Sequence, residues 1–155
     1  MKPLLKLIIL FLFINFGSLA LGSFLMNNGP LTEWYTSLNK APWTPPGWFF
    51  GVAWTTIMIC FSIYLGHLFI KDKRKKLLAI VFFIQSILNI SWNYIFFNQH
   101  LVFFGLIVIV ILSLIIFYYF FKLSKNVGNY RYLILPYMIW LCIATSLNLY
   151  FLIYN

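Results

Sequence analysis

WYTSLNKAPWTPPGWFFGVAW, running from Trp34 to Trp54, holds four of the six tryptophans in the chain and three of its six prolines. Pro42, Pro45 and Pro46 fix φ at about −65° and push the residues before them towards extended backbone. The segment before Pro46 is therefore predicted to be non-helical. Pro46 and Gly47 then precede a long apolar run, a placement that suits proline at a helix start, where no amide donor is lost. Ordinary loops are built from Gly, Asn, Asp and Ser. This one is built from Trp, Tyr and Pro, so it is predicted to pack against something apolar. The stretch reads as a stiff aromatic loop that feeds a membrane helix.

Working outward, the composition agrees. Of the 155 residues, 63% are hydrophobic and 8% are charged, against about 25% charged in a soluble domain. A spanning helix needs about 20 apolar residues, and five segments supply them: Leu4 to Met26, Trp48 to Ile70, Leu77 to Phe97, Leu101 to Phe121 and Tyr132 to Ile153. The linkers are the aromatic loop 27–47, the basic run 71–76, the turn Asn98-Gln99-His100, and 122–131 with Gly128. Backbone in lipid must satisfy its own hydrogen bonds, which leaves helices or a closed barrel. Continuous apolar runs without strict alternation select helices. The fold class read from the sequence is an all-α integral membrane protein, a single domain over 1–155, with five transmembrane helices and an aromatic, Pro-rich lid loop between the first and second. Lys2, Lys6 and the small residues Ser18 and Ala20 also permit a signal peptide, but the apolar stretch is long for one.

A net charge of +9 in a soluble protein would point to nucleic acid. Here ten of the eleven basic residues, all but Lys40, fall on one side of a five-span topology. The positive-inside bias makes that side cytoplasmic, with the loop 27–47 and the C-terminus on the outer side and no nucleic-acid partner expected.

No Asp, Glu, Lys or Arg lies deep in a span, which argues against a pump, a voltage sensor or a carrier with buried charges. The polar residues inside are neutral. Gln85, Asn89 and Asn93 recur every four residues and share a helix face, either to bond neighbouring helices or to orient a ligand. Pro136, Trp140, Ala144 and Asn148 form a second stripe, in which an indole one turn from an alanine makes a shelf beside a hollow. Gly47, Gly51, Thr55, Ser62 and Gly66 form a third, read as close helix packing. Trp54 beside it projects towards the bundle or the loop. Cys60 and Cys142 read as buried thiols in membrane helices, without a disulfide. Glu33 and Asp72 are the acidic residues, and both are placed in loops. His67 and His100 belong to opposite membrane faces, so no shared metal is expected. Acid–base, nucleophilic and metal catalysis are poorly supported. Aromatic residues at 22% of the chain instead offer walls for flat conjugated molecules.

Trp34-Tyr35, Leu38, Lys40, Trp43, Pro45-Pro46, Trp48, Phe50 and Trp54 resemble the signature of the translocator protein family, the TspO or peripheral-type benzodiazepine receptor family, in its bacterial form. Ala41 departs from it, standing where the family usually has Pro. The likeness extends to Gln85, Leu88-Asn89, Trp92, Phe96-Phe97, Pro136-Tyr137, Trp140, Ala144 and Leu147-Asn148. The resemblance implies a membrane receptor, usually a homodimer, for protoporphyrin IX and related tetrapyrroles and for isoquinoline or benzodiazepine ligands. No cofactor is required, and porphyrin enters as ligand or substrate. By motif position the family pocket falls on Tyr35, Trp43, Trp54, Asn89, Trp140 and Ala144, with Trp54 and Trp140 expected to face each other across the ligand. The resemblance also admits light-dependent porphyrin breakdown, with Trp54 and Trp140 as the catalytic electron donors, and porphyrin or sterol transport. Sterol handling has little support, since no basic residue follows Tyr150 or Tyr154 to complete the family's C-terminal cholesterol motif.

Overall fold

The computed structural model describes residues 2–155. Its elements are α1 (Pro3–Leu25), the single turn α2 (Glu33–Ser37), α3 (Gly47–Lys71), α4 (Lys75–Asn93), α5 (Val102–Tyr118) and α6 (Leu135–Tyr154), joined by short 3-10 and π-helical turns. Five helical segments are long and apolar enough to cross a membrane. Their outward faces carry large exposed side chains such as Phe13, Phe24, Phe83 and Leu114. Lipid, not water, is the solvent that accepts such a surface, so this is a multi-pass integral membrane protein with an all-helical, five-span fold.

Helix boundaries follow local chemistry. Pro3 stands in the first turn of α1. Pro46, extended at ψ 153°, is the N-cap of α3, and Gly47 is its first residue. Asn27 and Asn28 take positive φ, 49° and 58°, and end α1 in the left-handed conformation that asparagine tolerates. The linker predicted over 122–131 is instead wound into short turns: a π-helical turn Tyr119–Leu123, then 3-10 turns Ser124–Asn126 and Gly128–Ile134. The reason is the carbonyl of Tyr119, which accepts from Ser124 Oγ at 2.7 Å and from Tyr64 OH at 3.3 Å. Buried backbone acceptors need such partners.

The loop also departs from expectation before Pro46. Glu33–Ser37 is helical because Thr32 caps it, accepting from the Tyr35 N–H at 3.3 Å while its hydroxyl donates to the Gly29 carbonyl at 2.6 Å. That pentapeptide contains no proline to oppose the turn. Residues 38–46, where the prolines lie, are non-helical as predicted.

The five long helices close into a ring in which α3 touches α1, α1 touches α4, and α4, α5 and α6 follow in order back to α3. At the basic end α1 lies tightly on α3. A Cβ on Gly66 would stand 2.6 Å from Ile8 Cγ1, and Asn15 Nδ2 donates to Ser62 Oγ at 2.8 Å. Further along, α1 has crossed to α4: a Cβ on Gly22 would meet Asn93 Nδ2 at 2.7 Å. The packing stripe read on α3 therefore splits. Ser62 and Gly66 pack on α1, whereas Gly51 and Thr55 are exposed and a Cβ on Gly47 or Gly51 would meet nothing within 4 Å. The two helices diverge, and small residues guide packing only where a neighbour is present. The cysteines correct a second expectation. Cys142 is exposed on the outer face of the bundle and Cys60 is partly exposed, because both fall on helix faces turned away from the ring centre.

The basic half of the ring is filled. Phe61, Tyr64, Tyr119 and Tyr137 are fully buried, with Phe61 edge-on to Tyr119 at 5.6 Å and to Tyr137 at 5.3 Å. No comparable plug occupies the other half, and a cavity opens there.

Candidate functional site

The cavity measures about 450 Å³ and lies between α3, α4, α5 and α6, beneath the loop 27–46. That is within the usual range for small-molecule sites, about 300–1,000 Å³. Phe50 and Trp54 come from α3, and Asn89 and Trp92 from α4. Trp140, Ala144 and Asn148 come from α6, while Tyr35, Lys40 and Thr44 form the roof.

One corner is wholly aromatic. Phe50 stands edge-on to Trp140 at 5.2 Å, and Trp54 meets Trp140 edge to face at 6.3 Å and Tyr137 at 6.0 Å. The two indoles thus touch each other. They form adjoining walls, not opposite faces of a slot, because three- and four-residue steps on α3 and α6 bring both onto the seam between those helices. Ala144, one turn beyond Trp140, leaves the hollow next to them.

The amide stripe on α4 divides by depth. Gln85 Nε2 donates to Tyr137 OH at 3.0 Å, below the cavity, as helix-to-helix bonding. Asn89 is 7% exposed and lines the cavity. Among the described residues its carboxamide has no hydrogen-bond partner, and only its backbone carbonyl is used, by Asn93 Nδ2 at 3.4 Å. On α6, Asn148 is fully engaged: it accepts from Trp92 Nε1 at 3.1 Å and donates to the Val102 carbonyl at 3.1 Å. It fixes Trp92 as a wall.

The roof is anchored by aromatics. Tyr35 packs on Phe97 at 5.3 Å and Phe151 at 5.8 Å, and burial pushes its phenol pKa up. Trp43 is the one expected pocket residue that stands apart from the others. It does not line the cavity. It is half exposed, donates from Nε1 to Ser146 Oγ at 3.1 Å and lies edge-on to Tyr150. Its role is to fasten the loop to α6. The turn around Pro42 and Trp43, closed by Thr44 N–H to the Ala41 carbonyl at 2.9 Å, points this indole outward. Tyr35, Trp54, Asn89, Trp140 and Ala144 do line one cavity. Trp92 and Asn148 were missed as lining residues, although Trp92 follows Asn89 at the helical i+3 spacing and Asn148 follows Ala144 at i+4. Thr44 carried no signal. The histidines lie apart, His67 stacked on Tyr130 at 3.5 Å and His100 on Trp34 at 4.0 Å.

A five-span integral membrane protein with an aromatic, nearly charge-free cavity under a proline-stiffened loop is the class defined by this geometry. Residues 8–154 match the model of the TspO/MBR family. The chain is similar to protein CrtK of Rhodobacter capsulatus, 34% identical over 118 residues that cover 74% of each chain. It is also similar to the tryptophan-rich sensory protein of Cereibacter sphaeroides, 32% identical over 75% of this chain and 73% of the relative, and to the tryptophan-rich protein TspO of Chlorobaculum tepidum, 30% identical over 77% of each. The chain belongs to the TspO/MBR family.

Proposed function

We propose that the cavity binds flat, apolar, conjugated molecules, tetrapyrroles such as protoporphyrin IX and isoquinoline- or benzodiazepine-type compounds, and that the protein acts as their membrane receptor. The observation that carries this reading is the Trp54–Trp140 corner beside the hollow at Ala144, with the unpartnered carboxamide of Asn89 on the facing helix. Aromatic walls hold a conjugated ring, and one amide orients its polar atom. The family membership supports it. The protein would sit in a bacterial cell membrane, with its N-terminus cytoplasmic and the roof outside, as the basic residues prefer.

A second reading, light-dependent porphyrin breakdown, draws on the contacts of Trp54 with Trp140 and Tyr137. They form a group of oxidisable rings against which a photoexcited pigment would lie. One experiment addresses both. Detergent-solubilised protein is titrated with protoporphyrin IX in the dark and then illuminated, as wild type and as Trp54→Phe/Trp140→Phe. The double variant is expected to bind about tenfold more weakly, and unchanged affinity would refute the pocket assignment. Equal pigment decay at equal occupancy in both proteins would leave a binder without photochemistry.

A further inference from the structure

We propose that Lys40 and Thr44 form a carboxylate-binding subsite in the roof of the cavity, so that the preferred ligand is an anionic amphiphile. This deepens the proposed function and rests on the cavity being the ligand site.

Three observations converge on it. Lys40 lines the cavity and is the basic residue of its roof; the other ten sit at the far end of the bundle. Its Nζ lies 5.0 Å over the Tyr35 ring and donates to the Thr36 carbonyl at 3.4 Å. Those contacts hold it at the mouth and leave two of the three ammonium protons free. No carboxylate neutralises it, for the ion pair among the described residues joins Arg74 to Asp72 at the opposite end. Thr44, four residues on, also lines the cavity, and its Oγ1 is buried without any hydrogen-bond partner. A buried hydroxyl with no partner is costly, and a ligand acceptor removes that cost.

Together these supply one positive charge and one neutral donor to the same cavity, the two kinds of partner that the oxygens of a carboxylate accept from. A phosphate dianion would be left half compensated. The cation stands at the mouth, where an anion keeps part of its hydration and avoids the penalty of full burial. The walls below are aromatic and carry no formal charge, so the ligand body is apolar. Asn89 takes a polar atom within it.

The test compares protoporphyrin IX, whose propionates are ionised at neutral pH, with its uncharged dimethyl ester. Wild type, Lys40→Gln and Thr44→Val are titrated by quenching of tryptophan fluorescence at low and high salt. Wild type is expected to bind the diacid roughly tenfold more tightly than the ester, with the preference shrinking as salt rises. Lys40→Gln loses the preference and its salt dependence, its diacid affinity falling to about that of the ester. Thr44→Val lowers diacid affinity several-fold and ester affinity by less, because the ester carbonyl also accepts from the hydroxyl but carries no charge to strengthen the bond. Equal weakening of both compounds in Lys40→Gln would mean that Lys40 only supports the roof, and overturns the subsite. So does an unchanged preference. If wild type saturably binds neither compound, the porphyrin reading falls and the subsite falls with it. Binding of both without preference overturns the subsite alone.

Discussion

Asp72 shows how a single residue is set by its surroundings. It is 3% exposed in a linker otherwise made of lysine and arginine. Its carboxylate accepts from Arg74 Nη2 at 2.7 Å, from Arg74 Nε at 3.1 Å and from the Arg74 backbone N–H at 2.8 Å. These bonds, the side-chain ones first, hold its pKa below the usual carboxylate range. A depressed folded-state pKa contributes stability above the unfolded value, about 3.9, and that contribution is lost as pH falls through the folded one. Asp72→Asn is expected to lower the unfolding temperature at neutral pH by about 2–4 °C and to flatten the acid limb below about pH 4. Thermal unfolding in detergent across that range measures both. An unchanged acid limb would show that the turn tolerates loss of the pair.

Among the elements, the roof loop is the one whose attachment the structure explains in detail. Asn39 N–H donates to Asn155 Oδ1 at 2.7 Å, Asn155 Nδ2 donates to the Asn39 carbonyl at 3.2 Å, and Asn39 Nδ2 donates to the Tyr154 carbonyl at 3.1 Å. With Trp43 on Ser146, these bonds tie the loop to α6 along a line beside the cavity. Each exposed bond contributes about 1 kcal/mol or less, so the tie is able to open. Asn155→Ala removes the two bonds its side chain makes to the Asn39 backbone, together with its bond to the Phe151 carbonyl. Amide hydrogen exchange of Asn39 and its neighbours is then expected to quicken by up to about tenfold, with exchange in the filled half of the bundle unaltered. Unchanged protection at Asn39 would mean that the aromatic contacts alone hold the roof.

At the scale of the whole molecule, one end of the ring is plugged and basic, and the other is hollow and roofed. The proposed orientation places the hollow end outside the cell. In a background with Cys60 and Cys142 replaced, Asn39→Cys is expected to react with a membrane-impermeant thiol reagent on intact cells. Lys73→Cys is expected to react only after the cells are opened. The reverse pattern would invert the orientation while leaving the fold untouched.

The five spans were legible to within a few residues because lipid demands long apolar runs and self-satisfied backbone, which are properties of each segment alone. The extended course of 38–46 was legible too, because proline acts on its own dihedral and on that of its neighbour. Trp54, Asn89 and Trp140 were brought together by the resemblance to the family signature alone, since spacing within one helix says nothing of another, and all three line the cavity. Tertiary structure decided the rest. The outward turn of Trp43, the edge contact of Trp54 with Trp140 and the lipid-facing Cys142 depend on how helices rotate and cross. The divergence of α1 from α3 beyond Ser62, and the orphaned hydroxyl of Thr44, depend on which groups come together from distant parts of the chain. A local pattern records what a helix must bury; it does not record what that helix will meet.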